Sequence, residues 1–336
     1  MRKLHDLYGI YLPIFLLILP LTVVLRTVAL FTDLIEYGHF GNDLLITVAN
    51  WILMGGVLFS ITYLWIGKKN TRLIPSFASA ANYVPSGITA VAMAMLGAHL
   101  LASTIGTDLS ATSIYTRVIS IATPALALAS VAYFVLSSIL IARRSIRRSD
   151  FGIIALLFIC MYVAYIYFDT TLPINAPTRI VDEVAYLGAA MFFIGEIRLS
   201  LGRENWRRYI TFAFAGALVT AYSAIPNLLY YFARTEIISL SIYESLLTLA
   251  LFIFIISKIF LTPMLMKDER SGVVERIIAA AEARAAALEP VIVSEPGEKA
   301  NESEADENQI TIAYTEPIDD EIETSVESEE KEVTEE

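Results

Sequence analysis

The chain has 336 residues, of which 56% are hydrophobic and 18% charged, against about 45–50% and about 25% in average globular domains. Its formal net charge is −11, but residues 291–336 hold 17 acidic and 2 basic residues, a net −15, while the remainder holds 18 and 22. The acidity therefore belongs to one segment and argues against a nucleic-acid partner, and the single cysteine, Cys160, excludes an internal disulfide or a cysteine-based metal site.

The apolar residues fall in blocks. After MRKLH comes a run over 8–31, too long for the core of a signal peptide and followed by no small-residue cleavage site, so a retained helix is expected. Further blocks cover 43–66, 83–106, 116–142, 151–169, 180–200, 208–233 and 240–262. Each is long enough to cross ~30 Å of hydrocarbon as a helix. The expected fold is all-α: a polytopic transmembrane helix bundle of about eight spans over 1–263. A juxtamembrane amphipathic helix over 264–290 and a disordered acidic tail over 291–336 are expected to follow.

Basic residues set the expected orientation. One set of connections carries Arg2 and Lys3; Lys68, Lys69 and Arg72; Arg143, Arg144, Arg147 and Arg148; Arg198, Arg203, Arg207 and Arg208; then Lys258, Lys267 and Arg270. The alternate set carries only Arg117, Arg179 and Arg234. Lys and Arg next to spanning helices stay in the cytoplasm, so both termini are expected there, with the plasma membrane as the site. The connections are short, so no soluble catalytic domain is inserted between the helices.

Some helix contacts can be read. Ala90, Ala94, Ala98 and Ala102 form one stripe at four-residue spacing, and Ala213, Ala217 and Ala221 another. Small residues let helices approach closely in lipid. The four-plus-four division shows no internal repeat. Pro124 and Pro226 each free a carbonyl one turn earlier, and shaping the helix is the favoured role over framing a binding site. Cys160, inside an apolar run, reads as a small core residue.

Charged and hydrogen-bonding groups inside hydrocarbon are costly and therefore candidates for function. The candidate ligand-binding set, at similar depth toward the outer side, is Arg26, His99, Asp182, Glu183, Tyr186, Asn227 and Glu244. Asp182 and Glu183 share a helix face with Tyr186 by their spacing. Arg26 needs a partner or a route to water. The favoured reading places all four of Arg26, Asp182, Glu183 and Glu244 at the headgroup level, solvated; the alternative pairs Arg26 with one of the three carboxylates in an outward-facing polar pocket. His99 reads either as a proton relay or, more simply, as a hydrogen-bonded packing residue. Toward the cytoplasm, GEIRLSLGRENWRR (195–208) reads as an interfacial anchor of Trp and Arg, with a docking surface as the alternative.

No phosphate-binding loop, zinc-protease motif or nucleophile elbow is present, and no catalytic residue, cofactor or metal site is expected. The tail is too polar to fold alone. Within it QITIAYTEP (309–317) alternates apolar residues as a strand would, and could add to the edge of a partner's sheet. The residues favour a non-enzymatic membrane sensor or scaffold whose tail recruits a cytoplasmic protein. A secondary transporter of a small solute is the alternative, and an intramembrane enzyme comes third. Oligomeric state is not encoded in any motif.

Overall fold

The computed structural model describes residues 2–35, 39–66, 80–106, 113–142, 152–169, 173–200, 206–236 and 240–270, all within the unit Met1–Ala281. These residues form eight helices: α1 (Arg2–Asp33), α2 (Asp43–Ile66), α3 (Ala80–Gly106), α4 (Ile114–Ala142), α5 (Gly152–Phe168), α6 (Pro177–Ser200), α7 (Trp206–Arg234) and α8 (Ile242–Arg270). A helix satisfies its backbone polar groups within the segment, which apolar surroundings require. The all-α class agrees with the sequence pattern. Six helices, α1 to α4 with α7 and α8, are long and apolar enough to cross a membrane. α5 is apolar throughout but has only 17 residues. α6 has 24 residues and interrupts its apolar run with Arg179, Asp182, Glu183, Glu196 and Arg198. α8 runs on past its expected end at Pro263 to Arg270. The rest of the expected juxtamembrane helix, the acidic tail and the 309–317 segment lie outside the described residues.

Successive helices run in opposite directions. Tyr11 near the start of α1 shares a hydroxyl hydrogen bond of 2.9 Å with Thr62 near the end of α2. Ser138 near the end of α4 donates to the carbonyl of Tyr83 near the start of α3 at 3.0 Å. We call the end at which α1 starts the near end, and the other the far end. Contacts run α3–α4–α5–α6–α7–α8 and back from α8 to α3, closing a six-helix ring. α1 and α2 pair with each other and lie against α7. Touched by four helices, α7 has 78% of its spanning stretch buried, against 22% for α2.

Small residues decide where α6 and α7 cross. A Cβ added at Gly188 would lie 2.3 Å from Val219 Cγ2, and one at Gly216 would lie 3.0 Å from the Gly188 carbonyl oxygen. Ala213, Ala217 and Ala221 on the same helix are fully buried. The α3 stripe behaves differently: Ala90 is buried, but Ala98 and Ala102 face outward. Each four-residue step advances about 40° around an α-helix, so three steps carry Ala102 about 120° away from Ala90. The close approach of α3 to α4 falls instead at Gly97, where an added Cβ would meet Ala127 Cβ at 3.2 Å.

The outer surface is apolar. Leu17, Trp65 and Ile105 are 68%, 84% and 77% exposed, a pattern that suits lipid rather than water. Cys160 corrects the core expectation: it is exposed on the outer side of α5, whose buried face carries Ala155, Phe158, Ile159, Tyr162 and Ile166.

Candidate functional site

The far-end site starts from a proline. Pro226 in α7 has no N–H, so the carbonyl of Tyr222, four residues earlier, lacks its helical donor. Arg26 of α1 fills that place: Nη1 donates to the Tyr222 carbonyl, and Nη2 donates to Asn227 Oδ1 at 3.0 Å. The guanidinium carbon also lies 4.9 Å from the centre of the Tyr222 ring. Arg26 is wholly buried. The Tyr222 hydroxyl donates in turn to Asn50 Oδ1 of α2 at 2.6 Å, so one turn of α7 fastens both α1 and α2. Pro124 in α4 works in the same way, since its freed carbonyl, Ser120, accepts from the Thr104 hydroxyl of α3 at 3.0 Å.

Asn227 then turns its other end to α6. Its Nδ2 donates to Asp182 Oδ1 at 3.2 Å, and the Ser223 hydroxyl donates to the same oxygen. Among the described residues Arg26 makes no direct ion pair. It reaches Asp182, 3% exposed, through Asn227, with the two charges inside electrostatic range of each other. A bridging amide can serve an arginine and a carboxylate at once because it carries both an acceptor and donors.

Glu244 closes the site from α8. Its backbone N–H is received by the Ser241 hydroxyl at 3.2 Å, and its Oε2 accepts from the backbone N–H of Leu240 at 3.0 Å. This is a reciprocal cap at the start of α8, where an anion is also favoured by the helix dipole. The cap uses one carboxylate oxygen. The other, Oε1, is buried without a hydrogen-bond partner, and the residue is 1% exposed. Tyr186 lies one turn beyond Asp182 on α6. Its hydroxyl donates to the Glu244 carbonyl at 3.4 Å and accepts from the Thr248 hydroxyl at 3.2 Å. The Tyr162 ring of α5 meets Tyr186 edge-on at 4.8 Å and stacks on Tyr165 at 5.8 Å.

Two of the expected residues are placed otherwise. Glu183 is half-buried and pairs with Arg179 one turn before it, at 3.4 Å, rather than with Arg26. Arg179 is buried and donates to the carbonyls of Ile166 and Asp169, capping the end of α5. His99 faces outward from α3, with its ring 4.8 Å from that of Tyr243. The structure thus brings together Arg26, Asp182, Tyr186, Asn227 and Glu244, and leaves Glu183 and His99 beside them.

Below this cluster the ring interior is filled by Phe134, Phe192, Phe193 and Phe254, each 2% exposed or less. Phe193 and Phe254 stack at 5.9 Å, and Phe134 meets both edge-on. On the near side of the aromatic layer lies a second buried group. Tyr209 of α7 donates to Glu196 Oε1 of α6, and Lys258 Nζ of α8 sits 4.0 Å from Glu196 Oε2 and 5.1 Å from the centre of the Phe254 ring.

Comparison of the chain with family models, with curated proteins and with solved structures gives no match. No family is assigned. What the site can do therefore rests on its own residues. Among the described residues no three His, Cys, Asp or Glu side chains converge as a metal site would need. The far-end cluster is a desolvated, two-carboxylate, one-guanidinium site with a free carboxylate oxygen.

Sequence reasoning missed Arg179, Ser223, Thr248 and Tyr162 at the far end, and the Glu196–Tyr209–Lys258 group at the near end. Two signals were available. Arg179 and Glu183 have the four-residue spacing of a helical ion pair. Lys258 stands inside the apolar run LFIFIISKIF, where a lone charge needs a buried partner rather than a place in a loop.

Proposed function

We propose that the protein is a non-enzymatic, multi-pass membrane sensor. The far-end cluster is its input, the near-end group its relay, and the acidic segment recruits a cytoplasmic partner. The aromatic layer carries this reading. Phe134, Phe192, Phe193 and Phe254 stand between the far-end cluster and the near-end group, as a receptor's input is set apart from its relay.

Two helices supply the relay. On α6, Asp182 and Glu196 are 14 residues apart, and on α8, Glu244 and Lys258 have the same spacing. Fourteen residues make about four turns and ~21 Å, so each pair lies close to one helix face. A ligand that changes how α6 and α8 meet at the far end therefore bears on the Glu196–Lys258 pair through two rigid rods. Coupling of this kind needs one element with two arrangements that both ends bias.

The test is in-cell crosslinking with mass spectrometry on the full chain and on a 1–290 truncation, each with Glu244 intact or changed to Gln. The sensor expects a specific cytoplasmic partner with the full chain, its loss on truncation, and a changed yield with Glu244→Gln. Equal recovery from all four proteins overturns it. The second reading is a secondary transporter, favoured by the charged group on the near side of the aromatic layer. Solute accumulation by proteoliposomes holding the 1–290 protein, abolished by Glu244→Gln, would establish that reading instead.

A further inference from the structure

The charge balance of the far-end cluster points to the class of ligand. Glu183 is neutralised by Arg179 at 3.4 Å. Arg26 is matched to Asp182 through the Asn227 bridge. That leaves Glu244, 1% exposed, with Oε2 engaged by the Leu240 N–H and Oε1 engaged by nothing. The ionisable groups that act on it are acidic or phenolic (Asp182 on α6, Asp169 at the end of α5, and the Tyr162 and Tyr186 hydroxyls), and the backbone N–H groups of Leu240 and Ser241 face its carboxylate. Arg26 is within range of Asp182, and with both carboxylates ionised Arg26, Asp182 and Glu244 together carry one more negative charge than positive, before Asp169 is counted. A carboxylate oxygen held out of water without a donor costs free energy that a bound cation recovers.

We infer that the far-end cluster binds one monovalent cation on Glu244 Oε1. One positive charge would balance Arg26, Asp182 and Glu244 with both carboxylates ionised. The absence, among the described residues, of a third converging carboxylate argues against a divalent ion. Along α5, Tyr165 and then Asp169 at its end, both half-buried, follow the buried Tyr162 toward the far end. Acidic and phenolic oxygens of this kind attract a cation and replace part of its hydration shell. Inorganic and organic monocations share this chemistry, and the stacked Tyr162 and Tyr165 rings offer an ammonium group aromatic faces as well. The inference rests on reading the cluster as the sensor's input.

The experiment is a thermal-unfolding titration of the full-length protein in nanodiscs. NaCl, KCl and tetramethylammonium chloride are each varied at fixed ionic strength against N-methylglucamine chloride. The expected result is a saturable rise in midpoint with Na+ or K+ if the ligand is inorganic, or with tetramethylammonium if it is organic. Glu244→Gln removes that rise, and Glu183→Gln retains it. Asp182→Asn returns the cluster to neutrality and weakens the apparent affinity by about tenfold or more, which carries the test if the Glu244 variant does not fold. A native midpoint unmoved by all three cations, or an equal saturable rise in Glu244→Gln or Asp182→Asn, overturns the inference. Such a failure with the partner-capture result intact removes the cation and leaves the sensor. Loss of partner capture with the cation response intact removes the sensor and leaves the site.

Discussion

Arg26 and Asp182 are held by one amide, and that makes their energetics asymmetric. Removing Arg26 alone leaves Asp182 buried with only neutral hydrogen-bond partners and Glu244 nearby, whereas removing both charges takes that uncompensated carboxylate away. Arg26→Met is expected to cost about 3–5 kcal/mol, and Arg26→Met with Asp182→Asn to recover most of that loss. Chemical or thermal unfolding of the purified variants checks it, and additive losses would contradict the bridged arrangement. The same reasoning separates Asn227 from its surroundings, since among the described residues it hydrogen-bonds to both charges. At Thr235, just past α7, the backbone has φ of 58°, a left-handed conformation that a β-branched residue adopts at a cost. Thr235→Gly is expected to stabilise the protein by about 1 kcal/mol, read as a higher thermal midpoint.

Helices in this protein are fitted to one another by what is missing from them. Gly188 and Gly216 lack the side chains that would hold α6 and α7 apart, and Pro226 and Pro124 lack the N–H groups that would keep Tyr222 and Ser120 carbonyls inside their own helices. Gly188→Val places two methyl groups where Val219 already stands and is expected to cost about 2 kcal/mol or more. Because α6 and α7 carry Asp182 and Asn227, the same substitution is expected to weaken the cation-dependent rise in midpoint. An unchanged midpoint would mean that α6 does not need its close approach to α7. The positions of both prolines were legible in the sequence, and so was the freed carbonyl. The donor that meets it was not, because Arg26 lies 196 residues from Tyr222 in the chain.

At the scale of the whole molecule two buried polar groups of the ring are separated by aromatic side chains. The layer depends on Phe193 and Phe254, which stack face to face. Proteoliposomes with the native protein are expected to hold a monovalent-cation gradient, and those with Phe193→Ala and Phe254→Ala to lose it measurably faster. The double variant should also unfold at a lower temperature, since Phe→Ala in a packed core costs about 3–5 kcal/mol per site. A double variant as tight as the native protein would mean that other side chains close the ring.

Hydrophobic block length determined the eight helices and nearly all of their boundaries, because the need to satisfy backbone groups in apolar surroundings leaves the helix as the local solution. It also placed Asp182, Tyr186, Asn227 and Glu244 among the candidates, because a polar residue in such a block stands out from its neighbours. Which of them converge was decided only by tertiary structure. A helix fixes the angle between its own side chains but carries no information on which way it turns toward a neighbour. His99 therefore turned outward and Glu183 toward Arg179, while Arg26 turned inward to α7. The rotation of each helix was set by small residues and freed carbonyls on its partners, acting between segments that are far apart in the chain and adjacent in the ring.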